Sequence, residues 1–240
     1  MQALEVKIKG IVQGVGFRPF IHRLVRRHNL CGTIRNTSSG VTMELEGEQE
    51  EISAFLQELP HEAPPLAVIE EILSRELPVK GFETFTIIGS ERQEERNTLI
   101  SPDISICDDC LRELRDPADR RYRFPFINCT NCGPRFTIIE DVPYDRPKTS
   151  MKAFPMCPDC EREYHDIENR RYHAQPDCCP VCGPEVFYLD RDGGRVPGDA
   201  IELAREALKA GQIVAVKGLG GIHLACRCDD PEIANSLRRR

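Results

Sequence analysis

Eight of the twelve cysteines fall into four CxxC pairs, and the pairs repeat at a constant offset of 50 residues. Cys107-x2-Cys110 is followed, after 18 intervening residues, by Cys129-x2-Cys132; Cys157-x2-Cys160 is followed at the same interval by Cys179-x2-Cys182. The same offset aligns Arg120-Arg121-Tyr122 with Arg170-Arg171-Tyr172, and Cys132-Gly133-Pro134 with Cys182-Gly183-Pro184. Two tight turns that each present a pair of thiolates make a tetrahedral zinc site, with Zn–S bonds of about 2.3 Å. The repeat predicts two structural zinc ions and so a small metal-built module, with a separate fold in front of it and another behind. A redox-active dithiol is the weaker reading, because it normally occurs as one pair in a βαβ setting.

Equal repeats favour one ion per unit, in units 107–132 and 157–182, while the spacing leaves an interleaved pairing open. Cys178 abuts Cys179, but the register of the repeat selects Cys179 as ligand. His165 and His173 are expected to have surface or packing roles, since four thiolates already close the second site. Arg120-Arg121-Tyr122-Arg123 is expected to form a solvated face. Between 99 and 190 the apolar residues are too sparse for an ordinary core, and in such modules the metal supplies much of the folding free energy. The polar run Ser90–Asn97 is expected to be the linker that precedes the module.

No stretch is apolar enough to span a membrane and the start is no signal peptide. CxxC pairs in such a chain are metal ligands rather than disulfides, and the expected location is cytoplasmic. The formal net charge of −7 argues against non-specific nucleic-acid binding.

Residues 4–12 alternate like a half-buried strand. Gln13-Gly14-Val15-Gly16-Phe17-Arg18 follows, and Pro19 opens a helical run through His28. A glycine-containing loop between a strand and a helix N-terminus lets backbone N–H groups converge on an anion, and the helix dipole adds to the attraction. Arg18 stands where a guanidinium clamps a phosphate by paired hydrogen bonds. Strands near 31–36 and 41–46, a helix near 48–59 and strand-like stretches at 67–73 and 82–88 complete a βαββαβ order, that of a ferredoxin-like domain over residues 1–90.

Gly10-x-Val12-Gln13-Gly14-Val15-Gly16-Phe17-Arg18, followed by Gly32-x3-Asn36-x3-Gly40-Val41, closely resembles both signatures of the acylphosphatase family. The resemblance implies that Gln13, Gly14, Val15, Gly16, Phe17 and Arg18 hold the phosphate of an acyl phosphate and that Asn36 orients the attacking water. Arg18 and Asn36 are then the catalytic pair. Gly40 and Val41 are adjacent here, whereas the stand-alone enzymes usually place one residue between them.

Behind the repeats, residues 200–210 have helical periodicity with Gly211 as the stop, and 212–216 read as a short buried strand. Lys217-Gly218-Leu219-Gly220-Gly221 reads as a glycine-rich turn, with an anion approach as the alternative. Cys226 and Cys228 read as core thiols. The region 198–240 is too short to bury a core of its own and looks truncated.

Taken in order, these parts resemble the N-terminal part of the HypF family, the carbamoyltransferases of [NiFe]-hydrogenase maturation, with residues 198–240 similar to the beginning of a YrdC-like α/β domain. The fold class expected is therefore α+β: a ferredoxin-like acylphosphatase domain, a two-zinc module and the start of an α/β domain. The resemblance implies hydrolysis of carbamoyl phosphate to carbamate and phosphate in the front domain. In the full-length protein it implies use of ATP with Mg²⁺ to form carbamoyl-adenylate, and transfer of the carbamoyl group to the C-terminal cysteine of HypE. A catalytically idle front domain carrying a zinc-stabilised protein-docking module is the competing expectation.

Overall fold

Alternating burial builds the first strand. Leu4, Val6 and Ile8 are buried while Lys7 and Lys9 face solvent, the period of a sheet covered on one side. In the computed structural model, which describes residues 1–90 and 99–239, this strand is β1 (Gln2–Ile11). In α1 (Phe17–Arg27), Phe17, Phe20, Ile21, Leu24 and Val25 are buried, a spacing that falls on one face of a helix. The helix starts two residues before Pro19, whose missing N–H is harmless in a first turn that has no intrahelical acceptors. Arg18 thereby becomes its second residue. β2 (Cys31–Thr37), β3 (Gly40–Gly47), α2 (Gln49–Glu58), β4 (Val68–Leu77) and β5 (Phe85–Ile87) follow.

The sheet order is β4-β1-β3-β2-β5. β1 runs antiparallel to β3 and β4, and β2 antiparallel to β3. Two split βαβ units therefore interlock, which is the ferredoxin-like arrangement, and β5 extends it as an edge strand parallel to β2. One apolar cluster joins Val6 and Ile8 of β1, Leu24 of α1, Ile34 of β2, Leu45 of β3 and Phe55 of α2. This core seats the loop between β1 and α1 beside the end of β2, and so brings Arg18 and Asn36 into one neighbourhood.

The cysteine region is built largely without regular structure. α3 (Asp108–Arg115) starts directly after Cys107, and α4 (Pro158–His165) directly after Cys157, so the repeat in sequence is also a repeat in structure. Its small core contains Phe124, Ile127, Ile138, Tyr144 and Met151 packed with Cys110, Cys129 and Cys132. The chain divides into two compact units, Met1–Gly183 and Pro184–Arg240; the five-stranded sheet and both cysteine repeats belong to the first. Of the expected linker, residues 91–97 lie outside the described residues.

The second unit contains β6 (Tyr188–Leu189) paired with β7 (Arg195–Val196), α5 (Ala200–Lys209), the hairpin of β8 (Val214–Lys217) and β9 (Ile222–Ala225), and α6 (Pro231–Arg238). Asp199 caps α5 by accepting from the N–H groups of Ile201 and Glu202. Two expectations change here. The strand near 212–216 is not buried: within β8 only Val214 is, and Ile222 and Leu224 of β9 are exposed, because two strands alone do not enclose a core. The glycine cluster is a turn as expected, that of the β8–β9 hairpin, closed by Gly218 N–H donating to Gly221 O at 2.8 Å. Cys226 is half-buried and Cys228 exposed, so neither is a core thiol.

Candidate active site and metal centres

Gly14 and Gly16 both adopt left-handed backbone conformations, with φ of 71° and 75°, and Gly16 is the N-cap of α1. Left-handed residues next to right-handed ones turn successive N–H groups toward a common concavity, and the first N–H groups of α1 have no intrahelical partner. The side chains of Val15 and Phe17 are in the core, so these residues face the concavity only through their main chain. The Gln13 side chain is also committed elsewhere: Nε2 donates to Thr37 O at 2.8 Å and Gly40 O at 2.7 Å, and Oε1 accepts from Tyr144 N–H at 2.8 Å.

The Arg18 guanidinium is nearly buried, and its Nη2 lies 3.2 Å from Asp145 Oδ1. Asn36 on β2 is 1 % exposed. Its Nδ2 donates to Tyr144 O at 3.2 Å, which leaves Oδ1 as an acceptor with no partner among the described residues. Gln13, Gly14, Arg18 and Asn36 line one cleft of about 360 Å³, counting the space at its mouth. The opposite wall belongs to the cysteine region: Thr130, Arg135, Tyr144, His173 and Gln175. A Cβ on Gly14 would stand 3.1 Å from both Arg135 and the Tyr144 ring, and one on Gly16 would stand 3.3 Å from Thr130. Glycine therefore serves the loop twice, in backbone conformation and in close packing.

Arg135 is anchored by main-chain carbonyls, with Nε donating to Gly14 O, Nη1 to Gly133 O and Nη2 to Thr130 O. Burial pushes the Tyr144 phenol above its ordinary range, so it is neutral, and its hydroxyl has no hydrogen-bond partner among the described residues. Burial, aided by the Arg18 charge, lowers His173 to about 3, so this wall adds no cationic imidazole. The left-handed φ of 54° at His173 matches 57° at Arg123, one repeat earlier. Each of these two residues donates its N–H back to the helix of its own unit, Arg123 to Leu114 O and His173 to Tyr164 O. The strained backbone belongs to the repeat and not to the cleft.

The eight repeat cysteines form two separate four-sulfur sets, 107/110/129/132 and 157/160/179/182. Sulfur contacts run 3.4–3.8 Å in the first set and 3.5–3.8 Å in the second. Ligands about 2.3 Å from a tetrahedral zinc lie about 3.8 Å from one another, so both sets fit the ion. The grouping is sequential, one set per unit, which answers the pairing that spacing had left open. Crowding four thiols splits their acidity: hydrogen bonds from Cys110 and Cys129 draw Cys132 down to about 3, while Cys110 is pushed up by Cys129 and Cys132. A dication relieves that conflict by favouring four thiolates together. Cys178 points away to Phe126 O, and burial raises it to about 12. His165 and His173 belong to neither set and instead pack against Tyr164.

Arg120, Tyr122 and Arg123 are exposed as expected, but Arg121 is buried. Arg120 Nη2 donates to Cys160 Sγ at 3.1 Å, and Arg170 Nη1 donates to Cys110 Sγ at 3.1 Å. Each repeat thus supplies the donor to a cysteine of the other repeat's set. Glu163 and Glu113 close the exchange, the first bound by Arg120 and Arg121, the second by Arg170 and Arg171. Although burial opposes it, the two arginines hold Glu113 down to about 2. Arg121 and Arg171 are buried on Asp177, at 2.9 and 3.5 Å. The signal was present in the sequence, since Glu113 and Glu163 obey the same offset of 50. Charged residues of a small module are readily taken as surface; Arg121 and Arg171 are internal because Asp177 and the two glutamates supply their counter-charge.

The acylphosphatase family matches residues 4–87, and the HypF finger family matches 106–139 and again 156–189. The "Probable carbamoyltransferase HypF" of Methanocaldococcus jannaschii is 50 % identical over 99 % of this chain and 31 % of its own length. The crystal structure of full-length HypF in its phosphate- and nucleotide-bound form superposes with a TM-score of 0.94 at 53 % identity, over 100 % of this chain and 31 % of that one. The chain matches HypF proteins over its whole length. It spans about a third of the length of the HypF relatives it matches. The acylphosphatase of Thermotoga petrophila is 38 % identical over 97 % of its own length, and the front of the chain belongs to the acylphosphatase family. The α+β class and the ferredoxin-like front expected from the sequence are borne out. No helix among the described residues is long and apolar enough to cross a membrane.

Proposed function

We propose that the cleft between the acylphosphatase front and the cysteine module hydrolyses carbamoyl phosphate to carbamate and inorganic phosphate. The convergence of a left-handed glycine loop, the Arg18 guanidinium and the unpartnered Asn36 Oδ1 on one cleft carries this reading. The loop N–H groups, from Gln13 to Arg18, and Arg18 itself hold the phosphoryl oxygens and neutralise the charge that grows on them. Asn36 Oδ1 accepts a hydrogen bond from a water molecule and orients its lone pair at phosphorus. The phosphorus–oxygen bond to the carbamoyl group breaks, the carbamate oxygen takes the electron pair, and the water oxygen stays on phosphate. An amide does not titrate, so water orientation persists across a wide pH range.

In this reading residues 1–90 carry the first step, and residues 99–190 form the module, with one structural zinc held by Cys107, Cys110, Cys129 and Cys132 and the second by Cys157, Cys160, Cys179 and Cys182. Residues 198–240 begin a YrdC-like domain. Formation of carbamoyl-adenylate from carbamate and ATP with Mg²⁺, and transfer to HypE, belong to the longer relatives' remaining length, in the cytoplasm and without nucleic acid. Carbamate decomposes in water, which favours a sheltered site for making it.

Phosphate release from carbamoyl phosphate by the zinc-loaded chain, corrected for spontaneous decomposition, tests the proposal. Release that Arg18→Ala and Asn36→Ala both lose is expected. A folded, zinc-loaded chain that releases none overturns it and favours the idle front with a docking module.

A further inference from the structure

Two consecutive residues of the cysteine module touch all three polar side chains of the cradle. Tyr144 O accepts from Asn36 Nδ2 at 3.2 Å, Tyr144 N–H donates to Gln13 Oε1 at 2.8 Å, and Asp145 Oδ1 lies 3.2 Å from Arg18 Nη2. The Tyr144 side chain is in the same apolar cluster as Cys110, Cys129 and Cys132, so the first four-sulfur set and the cradle are joined through one side chain. We propose that Asp145 is a positioning residue for Arg18 in the phosphate site, supplied by the metal module, and that its charge limits how tightly inorganic phosphate is held. This rests on the acylphosphatase reading of the cleft.

Arginine carries five N–H groups in a planar fork. The contact with Asp145 engages Nη2 alone and leaves the Nε and Nη1 groups for phosphoryl oxygens. A nearly buried guanidinium with one terminal nitrogen pinned has a fixed plane, and bidentate recognition of phosphate depends on that plane. The carboxylate sets this orientation at a cost. It sits on the same guanidinium that the phosphate must use, and two anions sharing one cation repel each other. At about 6–8 Å, the spacing of two anions on one guanidinium, and with an effective dielectric of about 40, one unit charge changes phosphate affinity by roughly five- to tenfold. The substrate meets the same repulsion, but it leaves as carbamate and phosphate, and the phosphate is the product that Arg18 would otherwise retain. Orientation depends on having an acceptor at Oδ1, whereas repulsion depends on its charge. The two effects therefore separate by substitution.

Asp145→Asn keeps an acceptor and removes the charge; Asp145→Ala removes both. Each is compared with the parent as the zinc-loaded chain, by turnover of carbamoyl phosphate and, independently, by titration with inorganic phosphate followed by ³¹P NMR. For Asp145→Asn the expected result is phosphate binding tightened about five- to tenfold with kcat within about threefold of the parent. For Asp145→Ala it is a kcat reduced by at least about tenfold. Phosphate affinity unchanged within twofold in Asp145→Asn, or an unreduced kcat in a folded Asp145→Ala, overturns the proposal. Asp145→Asn carries the test alone if the alanine variant does not fold. Since phosphate binding needs no turnover, a parent that binds phosphate but hydrolyses nothing defeats the carbamoyl phosphate reading while leaving Asp145 testable. A parent that turns over normally with inert Asp145 variants does the reverse.

Discussion

Arg121→Met is expected to destabilise the protein far more than a surface arginine change does. The Arg121 side chain is 2 % exposed, and Asp177 beneath it is fully buried. Arg121 donates through Nε to Cys178 O at 2.9 Å, and through Nη2 to Asp177 at 2.9 Å and Glu163 at 2.6 Å. Methionine fills much of the volume but leaves Asp177 with only Arg171 at 3.5 Å. Removing one member of a buried ion pair costs about 3–5 kcal/mol, most of it from the charge left behind. For a unit of this size that is a fall of about 6–20 °C in Tm. Arg171→Met should cost less, because Asp177 then keeps its shorter contact with Arg121. Arg112, on an exposed pair with Asp109, is the control, since such pairs contribute little. The assay is thermal unfolding followed by circular dichroism, on proteins whose zinc content has first been matched. If Arg121→Met shifts Tm no more than Arg112→Met, or less than Arg171→Met does, the buried exchange of arginines does not hold the repeats together as argued.

Zinc removal by a chelator is expected to suppress phosphate release even though no thiolate lines the active-site wall beyond Cys129, because Tyr144 and Asp145 lose their support; undiminished activity in a metal-free chain refutes that link. Gly40→Ala should prevent folding or destabilise by more than about 2 kcal/mol, since its Cβ would lie 2.1 Å from Ile8 O at a φ of 139°; a soluble variant with parental Tm contradicts it. Glu46 is buried, which alone would raise its pKa, yet N–H groups of Lys80, Phe82 and Gly81 hold it below its ordinary value of 4.5. With a depressed folded pKa, its contribution is present above that ordinary value and lost as pH falls through the folded one. The amide resonances of residues 80–82 should therefore titrate together below 4.5, and a midpoint above it would reverse the sign.

The fold was legible wherever burial follows a period. Leu4, Val6 and Ile8 announce β1, and the stripe Phe17 to Val25 announces α1, because a one-sided sheet and a one-sided helix each imprint a repeat on the sequence. The zinc sets were legible for a different reason: thiolate spacing is fixed by metal geometry and needs no core. Two things resisted. Arg121 looked like surface because sequence carries the charge of a residue but not the counter-charge that lets it be buried; only the matching offset of Glu113 and Glu163 hinted at partners. The contacts of Tyr144 and Asp145 with Asn36, Gln13 and Arg18 join residues more than 100 positions apart, with no local period to betray them. The short strands β8 and β9 misled in the opposite direction, since apolar residues mark a strand's preference for cover, not its presence.

The repeat itself explains how the cysteine module comes to wall the proposed phosphate site. An offset of 50 carries Cys107 to Cys157 and Arg120 to Arg170, so the crossed arginine–sulfur contacts are the same interaction made twice. Among the many positions where the two units differ, Thr130 corresponds to Pro180 and Arg135 to Glu185. In the first unit Thr130 and Arg135 turn to the glycine loop, with Arg135 Nε on Gly14 O. In the second, it is His173 and Gln175, inside the unit, that reach the cleft. Two copies of one fold thus meet the cradle with different surfaces, and neither copy alone completes its wall. On the proposed function, a single finger would leave the Arg18 side of the cleft open to solvent, where an exposed guanidinium would bind phosphate more weakly and water would no longer be excluded from the labile product. The pairing of fingers is therefore tied to the chemistry of the cleft as much as to the stability of the module.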